Sequence, residues 1–248
     1  MTTHRLTAGV LALLVSLGAF SALGKGKCYV KPLRGATVTG TDITADSQGN
    51  LVLIIKKGVS RKFKRGTYRA AHVPKPKYVA VLEKKAAAGS LEEVVKASPT
   101  LFEKYKYLGW GGYIAAIHGQ ALLSQKKVDE AYNVFAEGWK VRGEHADKLT
   151  RGRLTCLVEK GEYDKASPVL DQMMSKMGKS DAAYAFNLRG RILAEQGKTK
   201  EAVLEYLKTL LFIPPDSNVK ARNEARKQAV ALLRKLKDPK ADAILKMK

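Results

Sequence analysis

The side chains that carry most enzyme chemistry are scarce in this sequence of 248 residues. It contains two cysteines and four histidines, and the histidines, at positions 4, 72, 118 and 145, are far apart in the sequence. His118 falls at a core-type position of a predicted helix without an acid–base partner nearby, so we interpret it as a packed residue rather than a catalyst. The sequence has no phosphate-binding Gly-x-x-x-x-Gly-Lys-Ser/Thr loop and no cluster with metal-ligand spacing. It therefore predicts a protein that is not an enzyme and has neither cofactor nor metal.

The two cysteines, Cys28 and Cys156, exclude a disulfide-rich framework and a four-cysteine zinc site. In an oxidising compartment they form at most one disulfide. The alternative is two unpaired thiols, with Cys156 buried on a helix. The sequence gives no distance between the two sulfur atoms, so both interpretations stay open at this stage.

The first residues have the composition of a secretory signal peptide. Two basic residues precede an uncharged apolar run at 8–20, and small residues follow it up to Gly24. A short positive region, an apolar segment and a small-x-small site are the three parts of such a signal, and we place the cleavage near Gly24. The run is short for a membrane anchor, and no long apolar segment follows it. The sequence thus predicts residues 1–24 as a signal peptide of an exported, periplasmic or secreted protein.

Residues 25–74 are predicted to form a small β region. Alternating or apolar segments bounded by turn residues predict four short strands, at 36–44, 51–55, 59–64 and 67–73. Four strands of this length suggest a small curled sheet that resembles an SH3-like barrel. Such a sheet buries little surface by itself, so it is expected to dock on the helices that follow.

Positive charge is concentrated in this β region. Residues 25–76 hold twelve Lys or Arg and two Asp residues, a formal charge of +10, whereas the much longer stretch 77–248 carries +11. A dense group of cations favours an anionic partner such as an acidic protein, an envelope polysaccharide or phospholipid head groups. The alternative is a solvated basic strand that keeps a sheet edge from pairing. The candidate residues for an anionic surface are Arg61, Lys62, Lys64 and Arg65.

The rest of the chain repeats a spacing of glycine, alanine and a large residue. An alanine follows the glycine after twelve positions, and an aromatic residue follows after four more. The alanines of three successive units are 35 and 36 residues apart, a period typical of helix–turn–helix repeats. The sets that share this spacing are Gly119, Ala131 and Phe135; Gly190, Ala202 and Tyr206; and, for its second half only, Ala166 and Leu170.

This pattern resembles the tetratricopeptide repeat family over about residues 75–218. The resemblance implies a mainly α fold, an α–α superhelix of stacked helix pairs, after the small four-stranded β region. We place the repeats near 75–111, 112–146, 147–182 and 183–218.

The repeat spacing also predicts how the helices pack. Gly119 is expected to lie against Ala131, and Gly190 against Ala202, so that the two helices of a repeat approach closely. The three residues expected to fill the gap to the next repeat are Phe135, Leu170 and Tyr206. The repeat at 147–182 departs from the pattern because Leu154 and Met173 stand where small residues are usual. Its helices are therefore expected to lie further apart.

Residues 219–248 are predicted to form a capping helix and a short tail. A helix over 219–236 would turn Val219, Ala225, Ala229, Leu232, Leu233 and Leu236 toward the array. Its other side would carry Lys220, Arg222, Arg226, Lys227, Arg234 and Lys235. A polar-faced terminal helix closes the last apolar surface of a stacked array. A basic amphipathic helix that binds membranes is the alternative.

The resemblance further implies a concave groove lined by the first helix of each repeat. There, arginines would bind ligand carboxylates, Asn187 would bind a peptide backbone, and tyrosines would give flat apolar contacts. A carboxylate clamp is not supported, because Ala116 and Gln120 stand at the positions of its Lys and Asn. The alternative is that the groove positions are only exposed helix residues. They are Tyr113, Gln120, Ser124, Lys148, Arg151, Thr155, Glu159, Tyr184, Asn187, Arg191 and Glu195.

Three functional hypotheses follow from the sequence. The favoured one is a non-enzymatic exported scaffold that binds a protein or peptide partner in the cell envelope. The second is an envelope-associated module that holds an anionic polymer or lipid surface through its basic β region. Nucleic-acid binding is permitted by the charge, but export argues against it.

Overall fold

The structure is a computed structural model that describes residues 27–141, 145–176 and 179–247. Within these residues, six strands precede ten helices, and no strand occurs after the sixth. The predicted signal peptide lies outside the described residues. None of the helices in the described ranges is both long enough and apolar enough to span a membrane.

The β region consists of two three-stranded antiparallel sheets rather than the predicted single sheet of four strands. The first sheet has the order β2-β1-β6 and the second β3-β4-β5. The strands are β1 (Cys28–Pro32), β2 (Val38–Gly40), β3 (Asp42–Ala45), β4 (Leu51–Lys56), β5 (Val59–Phe63) and β6 (Tyr68–His72). The two sheets enclose one core, in which Cys28, Val30, Leu51 and Leu53 are almost completely buried.

Two local causes explain the difference in strand number. The segment predicted as one strand at 36–44 divides at Thr41, whose amide donates to the carbonyl of Ile54 at 2.7 Å, so that β2 and β3 join different sheets. Gly40 is needed at this crossing because a Cβ atom there would lie 2.3 Å from the Ile54 oxygen. Strand β1 was missed because only Cys28 and Val30 are buried in it, and proline ends it.

The helices form antiparallel pairs joined by short turns. They are α1 (Lys77–Ala87), α2 (Leu91–Tyr105), α3 (Gly111–Ser124), α4 (Val128–Lys140), α5 (Ala146–Glu159), α6 (Tyr163–Lys176), α7 (Lys179–Glu195), α8 (Thr199–Phe212), α9 (Val219–Lys235) and α10 (Lys240–Leu245). Helical repeats are therefore confirmed. The first repeat, near 75–111, also forms a helix pair, although it lacks the glycine, alanine and aromatic spacing.

The repeat glycines pack against the aromatic residue rather than against the alanine. A Cβ atom on Gly119 would lie 2.5 Å from the Phe135 ring, and one on Gly190 would lie 3.0 Å from the Tyr206 ring. The expected contacts of glycine with Ala131 and Ala202 are therefore not the closest ones. The ring is the nearest neighbour of the glycine because it extends into the space between helices, whereas the alanine methyl group reaches only a short distance from its own backbone.

Phe135 also fills the gap to the next repeat, as expected. Gly152 of α5 also contacts the ring, and a Cβ atom there would be 2.4 Å from it. Leu170 packs with Leu188 and Ala185 of α7, and Tyr206 packs with Ala225 and Ala229 of α9. Each of the three large residues therefore connects its repeat to the element that follows.

Helix α9 closes the array, but one of its basic residues points inward. Arg222 was placed on the polar side, yet it is 4% exposed. Its Nη1 atom donates to the carbonyl oxygens of Leu210 at 2.7 Å and Ile213 at 2.5 Å. These carbonyls belong to the last turn of α8 and the residue after it, where intrahelical donors are absent. Val219 and Leu236, predicted to face the array, are exposed instead.

A short connection holds the β region against the array. The indole Nε1 of Trp110 donates to the carbonyl of Val73 at 2.9 Å, and the amide of Val73 donates to the carbonyl of Leu108 at 3.2 Å. Gly109 between them has a φ of +90°, and a Cβ atom there would meet the Ala71 oxygen at 2.9 Å. The expected docking of the β region on the helices is thus made by the turn that precedes α3.

The two cysteines are free and buried in separate cores. Cys28 lies between the two sheets, and Cys156 lies on α5 beside Phe135. Of the two interpretations left open by the sequence, the structure therefore favours unpaired thiols. Burial raises the pKa of Cys156 to about 11 and also raises that of Cys28.

Candidate functional site

A groove of about 600 Å³ lies along the first helices of the repeats. Helices α3 and α5 supply most of its wall, and α1, α2, α4, α7 and α9 each contribute one residue. Seven of the eleven predicted groove residues line it: Tyr113, Gln120, Ser124, Lys148, Arg151, Thr155 and Tyr184.

The floor of the groove is apolar and built from small residues. Ala116 and Ala121 of α3 line it together with Ile117, and Leu91 closes one side. Gly152 on α5 contacts the Phe135 ring directly and adds no side chain to the groove. An apolar floor with polar groups at its rim suits a peptide that presents apolar side chains.

Tyr113 at one end of the groove is fixed by a carboxylate. Its hydroxyl donates to Glu83, and the Glu83 carboxylate also accepts from Lys75. Burial and the bond to Glu83 raise the pKa of Tyr113 to about 12. Although burial opposes it, the hydrogen bonds from Lys75 and Tyr113 lower the pKa of Glu83. Tyr113 thus stays neutral and presents its ring to the groove.

Arg151 is already paired within the chain. Its guanidinium donates to Asp181 and lies 5.2 Å from the centre of the Tyr184 ring. The Tyr184 hydroxyl lies 2.9 Å from the Thr155 hydroxyl and also donates to the Arg151 carbonyl. This network positions Arg151, Thr155 and Tyr184 as one rigid wall. Because its guanidinium already pairs with Asp181, Arg151 does not offer a ligand carboxylate the free guanidinium that the sequence predicts.

Four predicted groove residues, Glu159, Asn187, Arg191 and Glu195, do not line the groove. Arg191 is held by two carboxylates, 2.8 Å from Glu159 and 2.7 Å from Glu195, and these bonds raise its pKa. Asn187 donates to the carbonyl of Ala221 at 2.8 Å. The predicted roles of Arg191 and Asn187 toward a ligand are corrected accordingly. Asn187 thus connects α7 to α9, and Arg191 connects α7 to Glu159 of α5, so that these side chains stabilise the stack instead.

Some groove residues were missed from the sequence. Lys220 lines the groove, although it had been placed on the outer polar side of α9. Ala86 and Leu91 come from the first repeat, which lacked the repeat signature. Only the approximate heptad-like spacing of apolar residues in α1 and α2 would have pointed to them.

The predicted anionic-surface residues divide into two groups. Arg61 and Lys62 lie exposed on β5, which is an edge strand, and Lys64 lies exposed directly after it. Arg65 instead turns toward the helices, with its guanidinium 4.8 Å from the centre of the Tyr107 ring. The position of β5 fits both the anionic-surface interpretation and the edge-protection interpretation.

The described residues contain no group of His, Cys, Asp and Glu side chains arranged to hold a metal ion. His118 is half-buried, and this burial lowers its pKa. Cys156 is buried with a raised pKa, which makes it a weak nucleophile near neutral pH. Neither side chain lies in the groove.

Comparison with known proteins agrees with this geometry. A family model described as a tetratricopeptide repeat-like domain matches residues 64–243. The chain belongs to this family. The tetratricopeptide repeat-like match covers helices α1 to α9, including the first repeat and the terminal helix.

One solved structure is similar in fold. It is described as "MamA RS-1 ArsTM double mutant", with a TM-score of 0.50 and 17% sequence identity, and the match covers 68% of this chain and 88% of that chain. At this identity the similarity concerns the fold alone. No curated protein matches the sequence.

Proposed function

We propose that this protein is a non-enzymatic scaffold whose groove binds a short segment of a partner protein. The observation that carries the proposal is the apolar groove of about 600 Å³ on the first helices of the repeats. Tetratricopeptide repeat-like proteins are generally scaffolds for protein–protein interaction, and the apolar floor here gives a peptide a surface to bury.

The charge of the groove indicates which peptide it takes. Glu83 pairs with Lys75, and Asp181 pairs with Arg151. Within the described part of the chain, Lys148 and Lys220 have no carboxylate at salt-bridge distance, although both line the groove. The groove therefore carries excess positive charge. We expect a ligand that combines apolar side chains with at least one Asp or Glu.

An array of short synthetic peptides with varied apolar and acidic content tests this function. Peptides with both features should be retained by residues 25–248 and lost on Ile117→Glu, which puts a charge on the apolar floor. Lys148→Glu with Lys220→Glu should shift the preference toward basic peptides. Lys227→Glu, an exposed change on α9 away from the groove, is the matched control. Equal retention by the groove variants and by the control would contradict the proposal.

Export to the cell envelope is part of the same proposal. It is supported by the basic, apolar and small-residue segments at 1–24. A fusion of the full chain to a reporter that is active only after export should give activity. The same fusion without residues 1–24 should give none, and activity in both would overturn the export proposal.

A second candidate function is attachment to an anionic polymer or lipid surface through the β region. The charge of +10 on residues 25–76 and the exposure of Arg61, Lys62 and Lys64 favour it. Changing these three residues to Gln should weaken binding to anionic vesicles and flatten its salt dependence. A variant with Lys200, Lys227 and Lys235 changed to Gln removes the same charge from the array. If that control loses more binding, the array rather than the β region attracts the surface.

A further inference from the structure

A second, smaller cavity lies where the β region meets the helices. Its volume is about 290 Å³, at the small end of the range for ligand pockets. Strands β1 and β6 form one side, and the turn between α2 and α3 forms the other. It is separate from the groove and shares no lining residue with it.

The lining of this cavity is positively charged. Lys31, Arg65, Arg69 and Lys106 contribute to it, and no described residue that lines it is acidic. Lys106 pairs with Glu103 at 2.8 Å outside the lining, which leaves three cations without a carboxylate partner among the described residues. Cations gathered around a concave surface attract an anion more strongly than the same charges spread over a flat one.

Arg65 is held in position before any ligand arrives. Its guanidinium lies 4.8 Å from the centre of the Tyr107 ring and 5.7 Å from that of Tyr68. Its backbone amide donates to the side chain of Asn50 at 3.0 Å. Gly49 leaves room for the side chain, since a Cβ atom there would lie 2.9 Å from Cδ of Arg65. An arginine fixed in this way loses little rotamer entropy when it binds an anion.

The wall formed by β1 and β6 also carries aromatic rings. The rings of Tyr29 and His72 stack on each other with their centres 5.2 Å apart and their planes 17° apart. The Trp110 ring lies next to His72, with 5.8 Å between the ring centres, so that the wall is supported from the array. The amino group of Lys31 lies over the Tyr29 ring, 5.2 Å from its centre. Because the two rings stack on each other, a further planar ring would meet the edge of the pair, in the edge-to-face arrangement that aromatic groups also favour.

We propose that this cavity binds a small organic anion made of a planar ring and a phosphate or carboxylate group. The ring lies against Tyr29 and His72, and the anionic group is bound by Arg65, Lys31 and Arg69. The cations at the rim are exposed, so salt screens their attraction for the anionic group, and this attraction alone would be weak. The aromatic wall is half-buried, so its contact with the ring adds to binding. The site neither requires nor uses the peptide groove.

Trp110 provides a direct way to observe binding, because it contacts His72 of the wall. We expect its fluorescence to change saturably in a Trp139→Phe variant, which leaves Trp110 as the only tryptophan. The protein is purified after expression of the full chain. Four probes separate the parts of the ligand: adenosine monophosphate, 4-hydroxyphenylacetate, adenosine and inorganic phosphate.

At least one of the two ring-bearing anions should bind about tenfold or more tightly than adenosine or phosphate, because each of those lacks one half of the interaction. Whichever of the two binds more tightly shows which combination of ring and anionic group the cavity prefers. If phosphate binds as tightly as the ring-bearing anions, the aromatic wall has no role and the proposal is wrong. Absence of saturable binding by both ring-bearing anions also overturns it.

Variants test the named residues. Arg65→Gln and Lys31→Gln should each weaken binding of the better anion about tenfold. Lys57→Gln, which removes the same charge from the exposed turn between β4 and β5, should leave binding unchanged. Tyr29→Leu should weaken the ring-bearing anion without affecting the weak binding of phosphate. Equal losses in Lys57→Gln and Arg65→Gln would show that only general charge attraction operates, and would overturn the site.

Discussion

The repeat of α3 and α4 and the repeat of α5 and α6 fill the same space with different side chains. In the first, the Phe135 ring lies between two glycines, Gly119 of its own repeat and Gly152 of the next. In the second, Leu154 and Met173 stand where small residues are usual, and each is 1% exposed. Among the described residues, fewer residue pairs of α5 and α6 than of α3 and α4 come close together, as expected for helices that lie further apart. The comparison shows that both repeats fill the space between their helices, although they use different residue types to do so.

The largest difference should appear when the large residue is removed from each repeat. Phe135→Ala should lower the free energy of unfolding by about 3–5 kcal/mol, and Leu170→Ala by about 2–4 kcal/mol. Phe135 should cost more because its neighbours on two sides are glycines, which have no side chains to move into the cavity. Urea unfolding followed by circular dichroism measures both values. A larger loss at Leu170 would show that the aromatic ring is not the main contact between repeats.

Placing leucine at a position with a small residue and at one with a large residue should separate the two kinds of repeat. Ala202 is completely buried, so Ala202→Leu should destabilise the protein by about 1–3 kcal/mol through overpacking. Met173→Leu nearly conserves volume at a site that is already large and should cost less than about 1.5 kcal/mol. The same urea experiment measures both variants. Equal losses would show that the repeat phase, which assigns one small and one large residue to these positions, is wrong.

A smaller effect is expected from a single methyl group on the repeat glycines. Gly119→Ala places a Cβ atom 2.5 Å from the Phe135 ring and should be destabilising by about 1–2 kcal/mol. Gly190→Ala places it 3.0 Å from the Tyr206 ring, and the gain in helix propensity, about 1 kcal/mol, should nearly offset the strain. Combining Gly119→Ala with Phe135→Leu should recover part of the loss. Additive losses in that double variant would argue against direct contact.

The smallest effect concerns the reactivity of Cys156, which is buried beside Phe135. With a pKa of about 11, a thiolate fraction of only about 0.1% is expected near pH 8, so a thiol reagent should react slowly with the native protein. The rate should rise about tenfold for each unit of pH until it approaches that pKa. Phe135→Ala in a Cys28→Ala background should speed the reaction by opening this core. The matched Leu170→Ala variant should change the rate less, because Leu170 lies in a different core cluster from Cys156. Equal acceleration by the two variants would contradict the separation of these clusters.

Much of the helical part could be predicted from the sequence because packing there depends on local spacing. The glycine, alanine and aromatic residues of a repeat lie within one helix pair, so their period alone locates α3 to α8. The β region was harder, since the division at Thr41 depends on a hydrogen bond to Ile54, a contact distant in sequence. Periodicity along one strand carries no information about such pairing.

The candidate site shows the same limit. The predicted positions from Tyr113 to Thr155 line the groove because they lie in the interior of the array, where neighbouring repeats are regular. Asn187 does not line it, since it bonds to Ala221 of α9, and Arg191 is bound by Glu159 and Glu195 instead. A family pattern gives the positions of groove residues within a repeat, but it does not show which repeat the end of the chain covers.

Arg222 has a consequence for how long the array can be. Its guanidinium binds the carbonyls of Leu210 and Ile213 at the end of α8, and it is buried there by its own helix. A further repeat inserted between α8 and α9 would separate this cation from its acceptors and leave both sides unsatisfied. Duplication of an internal pair such as α3 and α4 would disturb no such contact. The contact between Arg222 and the end of α8 therefore fixes which helix pair is the last one. We expect additional repeats to be tolerated before α8 and not between α8 and α9.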